Sequence, residues 1–134
     1  MEIKVAIFED NKLIREGLKT IINGTAGFVC TGTFVNVNQI EADVIFSRPD
    51  VVLMDIEMPG KTGLEAAEEL KGLDCKVIIL TTFARTGYFQ RALKAGVRGY
   101  LLKDSPSEEL ASSIRRVMEG KRIYAPELMD DVYS

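Results

Sequence analysis

The sequence contains no histidine and no tryptophan, and only two of its 134 residues are cysteines. Without histidine, neither a serine–histidine nor a cysteine–histidine catalytic pair can form within this chain. Cys30 and Cys75 lack CxxC spacing, and no histidine is present to complete a soft-metal site with them. We therefore interpret both cysteines as core residues.

Basic charge and long apolar runs are also scarce. The chain has 17 Lys and Arg against 20 Asp and Glu, whereas binding to a phosphate backbone rests on clustered cations. No apolar run approaches the roughly 20 residues of a membrane span. The first residues, Glu2 to Val5, include no basic segment followed by an apolar stretch. We expect a cytoplasmic protein with no membrane partner and no nucleic-acid surface in this part.

Apolar runs alternate with segments of helical period, a pattern typical of a βα protein with a mostly parallel sheet. Several runs are continuously apolar, as expected for strands that helices cover on both faces. The sequence therefore predicts an α/β fold with a five-stranded parallel sheet and helices on both faces. The predicted strands are Ile3–Phe8, Phe28–Phe34, Val51–Met54, Val77–Leu80 and Tyr100–Leu102.

The pattern also predicts the limits of two helices. The segment Val37 to Phe46 is predicted to be helical. The run Ser105 to Glu108 predicts a capping box, in which Ser105 caps the last helix and Glu108 reaches back to it. Gly120 is the expected end of that helix.

Polar side chains stand at the carboxyl ends of four predicted strands. Parallel strands bring these ends to one edge of the sheet, where ligands of open α/β sheets bind. We therefore expect the side chains to meet in one crevice. They are Glu9 and Asp10 after the first strand, Asp55 after the third, Thr81 and Thr82 after the fourth, and Lys103 after the fifth.

Three carboxylates in one crevice repel one another, and a divalent hard cation removes that conflict. Mg²⁺ fits best, because it prefers oxygen ligands and is usually held by one or two carboxylates and a phosphoryl oxygen. Asp55 is then a candidate nucleophile toward a phosphoryl group, and Lys103 can neutralise the transferring oxygens. Thr81 or Thr82 can donate a hydrogen bond to a remaining oxygen, and chemistry alone does not separate the two.

Each of these residues has an ordinary structural explanation. An acidic pair at a strand end is usually a solvated turn or a helix cap, and Asp55 can cap the next helix. A threonine that leaves a strand is generally a β-former, and an exposed lysine is ordinarily solvated. Their joint occurrence at four strand ends is what favours a phosphoryl-binding Mg²⁺ site.

Four motifs resemble the receiver domain of two-component response regulators, from Ile3 to about Gly120. The last motif is similar to the NarL/FixJ branch, and further stretches at 61–65, 81–85 and 120–126 are similar to regulators of membrane-lipid genes in that branch. The four motifs are Phe8-Glu9-Asp10-Asn11, Met54-Asp55-Ile56-Glu57-Met58-Pro59-Gly60, Leu80-Thr81-Thr82 and Gly99-Tyr100-Leu101-Leu102-Lys103-Asp104.

The resemblance implies a flavodoxin-like strand order 2-1-3-4-5 and a phosphoacceptor site. Asp55 would accept phosphate from a sensor histidine kinase. The metal ligands would be the side chains of Glu9, Asp10 and Asp55 and the backbone carbonyl of Glu57. The number of positions between Thr81 and Lys103 is the one typical of the family, so the resemblance favours Thr81 over Thr82.

In the same family, Thr81 would be the switch hydroxyl, Lys103 the site lysine and Tyr100 the aromatic switch residue. Phosphorylation would change the conformation and produce a homodimer through the first and last helices, with Ile14, Ile114 and Val117 as anchors. The chain would be regulatory and not an enzyme, apart from its own phosphorylation and dephosphorylation.

Residues 1–120 are expected to form the receiver. Residues 121–134 would be a tail or the start of a linker to an absent LuxR-type helix-turn-helix domain, through which the parent protein would bind DNA and control transcription.

Three other functions remain open at this point. Asp55-Ile56-Glu57 loosely resembles the acid pair of haloacid-dehalogenase-type phosphatases, although their nucleophile follows the first strand. A non-phosphorylated interaction module would show no binding of Mg²⁺ at millimolar concentration. A flavodoxin-like electron carrier ranks last, because Glu9 and Asp10 would repel a flavin phosphate.

Overall fold

The computed structural model describes residues 2–83 and 87–129. None of the helices in that part of the chain has the length and apolar character needed to span a bilayer. The strands are β1 (Ile3–Phe8), β2 (Phe28–Phe34), β3 (Val51–Asp55), β4 (Lys76–Thr81), β5 (Gly99–Leu102) and β6 (Ile123–Tyr124). The helices are α1 (Lys12–Asn23), α2 (Ile40–Ser47), α3 (Gly63–Glu69), α4 (Tyr88–Lys94), α5 (Ser107–Met118) and α6 (Pro126–Met129).

The strands form one sheet in the order β2-β1-β3-β4-β5-β6, and every neighbouring pair is parallel. The five predicted strands agree with β1 to β5 within one residue at each end, and the expected order 2-1-3-4-5 is confirmed. The sheet has a sixth strand, β6, that the sequence analysis missed. A two-residue strand is too short to carry a periodic signal.

The core lies in two layers, one on each face of the sheet. Alternate residues of a strand point to opposite faces. Accordingly, Val5 and Ile7 join the cluster formed with α1 and α5, whereas Ala6 and Phe8 join the cluster formed with α2, α3 and α4. Burial on both faces explains why the central strand β3 is apolar from Val51 to Met54.

The predicted helix starts need correction. The capping box at Ser105 is wrong: the Ser105 N–H donates to the Leu102 carbonyl (3.2 Å) and closes a turn after β5. Helix α5 begins at Ser107, and its N-cap, Pro106, makes no side-chain cap bond. Helix α2 begins at Ile40 and not at Val37.

Two of the three expected dimer anchors do not lie on the surface. Ile114 and Val117 are fully buried between α5 and the sheet, so neither can anchor a surface contact. Ile14 is only partly buried, and its neighbour Leu13 is 85% exposed.

Candidate functional site

The turn after β1 holds its acidic pair through backbone contacts. The guanidinium of Arg15 donates to the carbonyls of Glu9 (3.0 Å) and Asp10 (3.3 Å). The Asn11 N–H donates to Glu9 Oε2 (3.1 Å), and the Asn11 side chain caps α1 by accepting from the Ile14 N–H (3.0 Å). The start of α1 and the acidic turn therefore stabilise each other.

Asp55 ends β3 and faces the same edge. Its Oδ1 accepts a hydrogen bond from the Glu57 N–H (3.1 Å). Helix α3 then begins so close to this strand that a Cβ at Gly63 would lie 2.6 Å from the Asp55 carbonyl oxygen. Only glycine fits there without moving the backbone. The Gly63 N–H donates to the Ile56 carbonyl (3.0 Å) and holds the returning chain in place.

Lys103 follows β5 and bridges the two buried carboxylates. Its Nζ lies 2.9 Å from Glu9 Oε1 and 3.0 Å from Asp55 Oδ1. The carboxylate side chains are 1% and 4% exposed, respectively, and the lysine side chain is 13% exposed. Charge-assisted contacts of this length strongly constrain geometry in a partly buried site.

The pKa values of this trio are shifted by burial and by each other. Burial raises the pKa of Glu9, and the charge of Asp55 adds to the rise, while contacts with Lys103 and the Asn11 N–H oppose it. Burial alone would lower the pKa of Lys103, but its contacts with Glu9 and Asp55 outweigh burial and raise the pKa. Lys103 is therefore an ammonium at neutral pH.

The acidic residues fit a divalent cation. One carboxylate oxygen from each of Glu9, Asp10 and Asp55 lies within 4.8 Å of the other two. Ligands of a single Mg²⁺ lie at most about 4 Å apart, so small side-chain adjustments would bring all three into range. Three carboxylates and the one ammonium of Lys103 leave an excess of negative charge, which a hard divalent cation compensates.

Thr81 and Tyr100 lie on β4 and β5, the two strands that follow β3 in the sheet. Thr81 ends β4 and is 1% exposed, and its hydroxyl donates to the Phe83 carbonyl (3.1 Å), whereas Thr82 is exposed. Tyr100 lies on β5, is buried, and stacks on Phe89 with ring centroids 6.4 Å apart. The structure thus brings Glu9, Asp10, Asp55 and Lys103 together, and it places Thr81 on β4 and Tyr100 on β5.

Sequence reasoning missed two supporting residues. Asn11 carries a readable signal, because asparagine before a helical period is a favoured N-cap. Arg15 carries none: its contacts with the Glu9 and Asp10 carbonyls arise because the first turn of α1 packs back on the turn.

Comparison with known proteins agrees with this geometry. A family described as the response regulator receiver domain matches residues 5–115. The transcriptional regulatory protein DesR of Bacillus subtilis is 61% identical over 133 residues, which cover 98% of this chain and 66% of DesR. The transcriptional regulatory protein YvfU of the same organism is 45% identical over 128 residues, which cover 94% of this chain and 64% of YvfU. The chain thus spans about two thirds of the length of these relatives.

Solved structures agree as well. A LuxR-family DNA-binding response regulator from Staphylococcus aureus superposes with a TM-score of 0.80 at 38% identity, over 86% of this chain and 98% of that one. A LuxR-family regulator from Aurantimonas has a TM-score of 0.89 over 99% of this chain and 96% of that one, and at 24% identity it supports the fold alone. The resemblance to the NarL/FixJ branch is therefore confirmed, and the chain belongs to the receiver-domain family of response regulators.

Proposed function

We propose that this receiver accepts a phosphoryl group on Asp55 from a sensor histidine kinase in a Mg²⁺-dependent reaction. The observation that carries the proposal is the contact of Lys103 Nζ with Asp55 Oδ1 at 3.0 Å beside the buried Glu9. It joins a carboxylate nucleophile to a permanent positive charge in a partly enclosed site, as phosphoryl transfer requires.

The reaction uses an ionised carboxylate. An Asp55 oxygen attacks phosphorus while the phosphorus–nitrogen bond of a phosphohistidine breaks, and the imidazole nitrogen of the kinase keeps the bonding electrons. Lys103 stays beside the new acyl phosphate and offsets its charge. The Glu57 N–H, which already donates to Asp55 Oδ1, holds the carboxylate in place during the attack. In a separate self-dephosphorylation step, water attacks phosphorus while the phosphorus–oxygen bond to Asp55 breaks, so that inorganic phosphate and the free Asp55 carboxylate form and the water proton passes to phosphate or solvent.

Glu9, Asp10 and Asp55, together with the backbone carbonyl of Glu57, would hold Mg²⁺. The ion supplies positive charge for the phosphoryl oxygens when it is bound. Arg15 and Asn11 orient Glu9 and Asp10 through the turn contacts described above, and so act as positioning residues.

The switch would run through Thr81 and Tyr100. In the unphosphorylated site the Thr81 hydroxyl donates to the Phe83 carbonyl. A phosphoryl oxygen on Asp55 would compete for that donor, because a hydroxyl bond to a charged acceptor is stronger than one to a carbonyl. Movement of Thr81 at the end of β4 would favour the buried position of Tyr100 on the adjacent strand, and the two states would differ in population.

A mass measurement tests the proposal. The chain is incubated with a small phosphodonor such as acetyl phosphate, with and without Mg²⁺, and its intact mass is measured. We expect the gain of one phosphoryl group only with Mg²⁺, and no gain in Asp55→Asn. Asp74→Asn is the matched control, because Asp74 is an exposed aspartate outside the acidic cluster. A full gain in Asp55→Asn would refute the assigned acceptor.

We also propose a role for the longer parent protein. By analogy with the relatives, which are named transcriptional regulators, a DNA-binding domain of LuxR type would follow the receiver and control transcription in the cytoplasm, with membrane-lipid genes as candidate targets. The domain limits 1–120 and 121–134 stay predictions, and Ile123 to Met129 pack against the receiver.

Phosphorylation would produce a homodimer through the outer faces of α1 and α5. The support is Leu13, which is exposed at the start of α1 beside the half-buried Ile14. With Ile114 and Val117 buried, the outer side of α5 would contribute its polar residues.

The alternative phosphatase has no support in the topology. Asp55 lies on β3, which stands between β1 and β4, whereas a haloacid-dehalogenase nucleophile would follow the first strand. Multiple turnovers on a small phosphate ester would favour the phosphatase. Absence of Mg²⁺ binding at millimolar metal would favour the interaction module.

A further inference from the structure

The C-terminal segment, Ile123–Met129, is bound to the strand that carries Tyr100. The Ile123 N–H donates to the Arg98 carbonyl (3.0 Å), and the Ala125 N–H donates to the carbonyl of Tyr100 itself (2.9 Å). In the register of β5 and β6, Tyr124 lies directly opposite Tyr100. A movement of β5, the strand that carries Tyr100, would therefore disturb the backbone hydrogen bonds of the segment.

Side chains of the segment pack on the same residue. The Tyr124 ring meets Phe89 edge to face, with centroids 5.2 Å apart at 81°, and Phe89 in turn stacks on Tyr100. The Tyr124 hydroxyl donates to the Val97 carbonyl (3.3 Å). Leu128 is 0% exposed and belongs to the core cluster that contains Phe89 and Tyr100. Three aromatic rings and one leucine thus form a continuous contact from the segment to Tyr100.

The segment cannot be stable without that surface. Its strand has two residues and its helix has four, and neither length forms independently in water. Its order comes from the surface beneath it, which β5, α4 and α5 form. Such elements belong to the parts of a fold that open locally.

We propose that docking of the C-terminal segment and burial of Tyr100 are coupled, so that the segment is the element through which the receiver changes its output. An outward Tyr100 would leave Phe89 without its stacking partner and disturb the surface on which Tyr124 and Leu128 rest. The phosphorylation step of this proposal rests on the proposed function; the coupling itself does not. In a parent protein with a following DNA-binding domain, docking would set the direction in which the chain leaves the receiver.

Coupling of this kind is reciprocal. If phosphorylation favours the docked segment by some factor, the docked segment favours the phosphorylated state by the same factor. The proposal therefore makes two measurable statements about the 134-residue chain, one read at the segment and one read at the phosphorylation site.

The first experiment measures hydrogen exchange of the Ile123 and Ala125 amides by NMR, with and without beryllofluoride and Mg²⁺ as a phosphoryl mimic. We expect exchange at both amides to slow at least threefold when the mimic binds. The Thr81 amide signal reports binding independently. Binding that shifts Thr81 but leaves both amides unchanged overturns the coupling to phosphorylation. If the mimic fails to bind, the proposed function has failed, and the second experiment still decides on the coupling.

The second experiment needs no phosphoryl group. In Tyr100→Ala we expect faster exchange at Ile123 and Ala125 than in Phe46→Ala, an aromatic truncation at a side chain that is 83% exposed on α2. Equal exchange in the two variants overturns the coupling. Because Tyr100→Ala removes a buried ring, Tyr124→Phe serves as a milder variant: it removes only the hydroxyl that donates to the Val97 carbonyl, and we expect it to raise exchange at the same amides.

The reciprocal arm uses Leu128→Ala and, as its control, Met129→Ala, a neighbouring side chain that is exposed. We expect Leu128→Ala to weaken the affinity for beryllofluoride by the factor by which the mimic slows exchange in the wild type. Met129→Ala should leave that affinity unchanged. An undocked segment in Leu128→Ala with unaltered affinity contradicts the proposal.

Discussion

Lys103 is the residue on which the proposed chemistry of the site depends. It is the ammonium in contact with both Glu9 and Asp55, and those contacts keep it charged although it is largely buried. Its removal would take away the ammonium that contacts both carboxylates. A bound cation could restore neutrality, but it would not restore the donor beside Asp55.

Lys103→Ala should slow phosphorylation by a small phosphodonor about 100-fold at saturating Mg²⁺, which is the usual cost of losing one charged donor to the transferring group. The measurement is the initial rate of mass gain. Lys71→Ala is the control, because Lys71 is exposed and outside the site. A rate within twofold of the wild type would show that the lysine serves structure alone.

Cys75 permits a pH-dependent prediction. Burial raises the pKa of its thiol to about 11, with a further contribution from the neighbouring Asp74 that Lys76 partly offsets. At pH 8 about one such thiol in a thousand is ionised, against about a quarter for a thiol of ordinary pKa, and the thiolate is the reactive form. In a Cys30→Ser background, alkylation of Cys75 should therefore be about 250-fold slower than that of free cysteine at pH 8.

The rate should rise about tenfold per pH unit toward pH 10. The sign follows from the raised pKa: the folded chain keeps its proton on Cys75 at a pH where the unfolded chain loses it. Cys75 therefore contributes to the stability of the fold below the ordinary thiol pKa, and this contribution is lost as the pH rises through the pKa of the thiol in the folded chain. Fast alkylation at pH 8 would show that the thiol is not buried in solution.

At the scale of elements, strand limits were predictable and helix starts were less so. Most of the strands contain a continuous apolar run, whose limits are set by local composition. Helix starts depend on which backbone N–H groups remain unpaired. At Ser105 the N–H already donates to the Leu102 carbonyl, and α5 begins only at Ser107. The apparent capping box therefore does not form. Helix α3 has a true capping box between Thr62 and Glu65, formed by bonds of 3.2 and 2.9 Å.

Thr62→Ala should lower the free energy of unfolding by about 1 kcal/mol, because the Glu65 N–H at the start of α3 loses its acceptor, the Thr62 hydroxyl. The measurement is the midpoint of urea denaturation. Thr20→Ala is the matched control: Thr20 is an exposed threonine in α1, and its hydroxyl bonds only to a carbonyl of its own helix, that of Glu16. Equal losses in the two variants would contradict the assigned role of the cap.

At the scale of the molecule, residues with the same sequence pattern differ in burial, because only some of them pack into the two core layers. Leu13 and Ile114 are both apolar residues on amphipathic helices, yet Leu13 is 85% exposed and Ile114 is fully buried. Helical periodicity marks a face, but packing against the sheet selects which part of it is buried. For this reason the dimer anchors expected on α5 are core residues.

Ile114→Ala should therefore lower stability by about 2–5 kcal/mol, through lost burial and the cavity left behind. Leu13→Ala should change stability by less than about 0.5 kcal/mol. The two variants are compared by urea denaturation.

Leu13→Asp should instead reduce dimerisation of the beryllofluoride-bound chain, measured as its mass in solution. It should leave the denaturation midpoint close to that of the wild type, because Leu13 is exposed. Unchanged dimerisation would place the contact on another face.

The composition and order of residues suffice for the parallel sheet, its five long strands and the gathering of Glu9, Asp10, Asp55 and Lys103 at one edge. These follow because local apolar runs define strands, and parallel strands carry their carboxyl ends to the same side. Folding in three dimensions was needed to pair Lys103 with both carboxylates, to reveal the role of Arg15, to bury Ile114 and to dock the C-terminal segment on Tyr100. Those features are contacts between residues distant in sequence, and no local pattern records which long-range contact the packed chain will make.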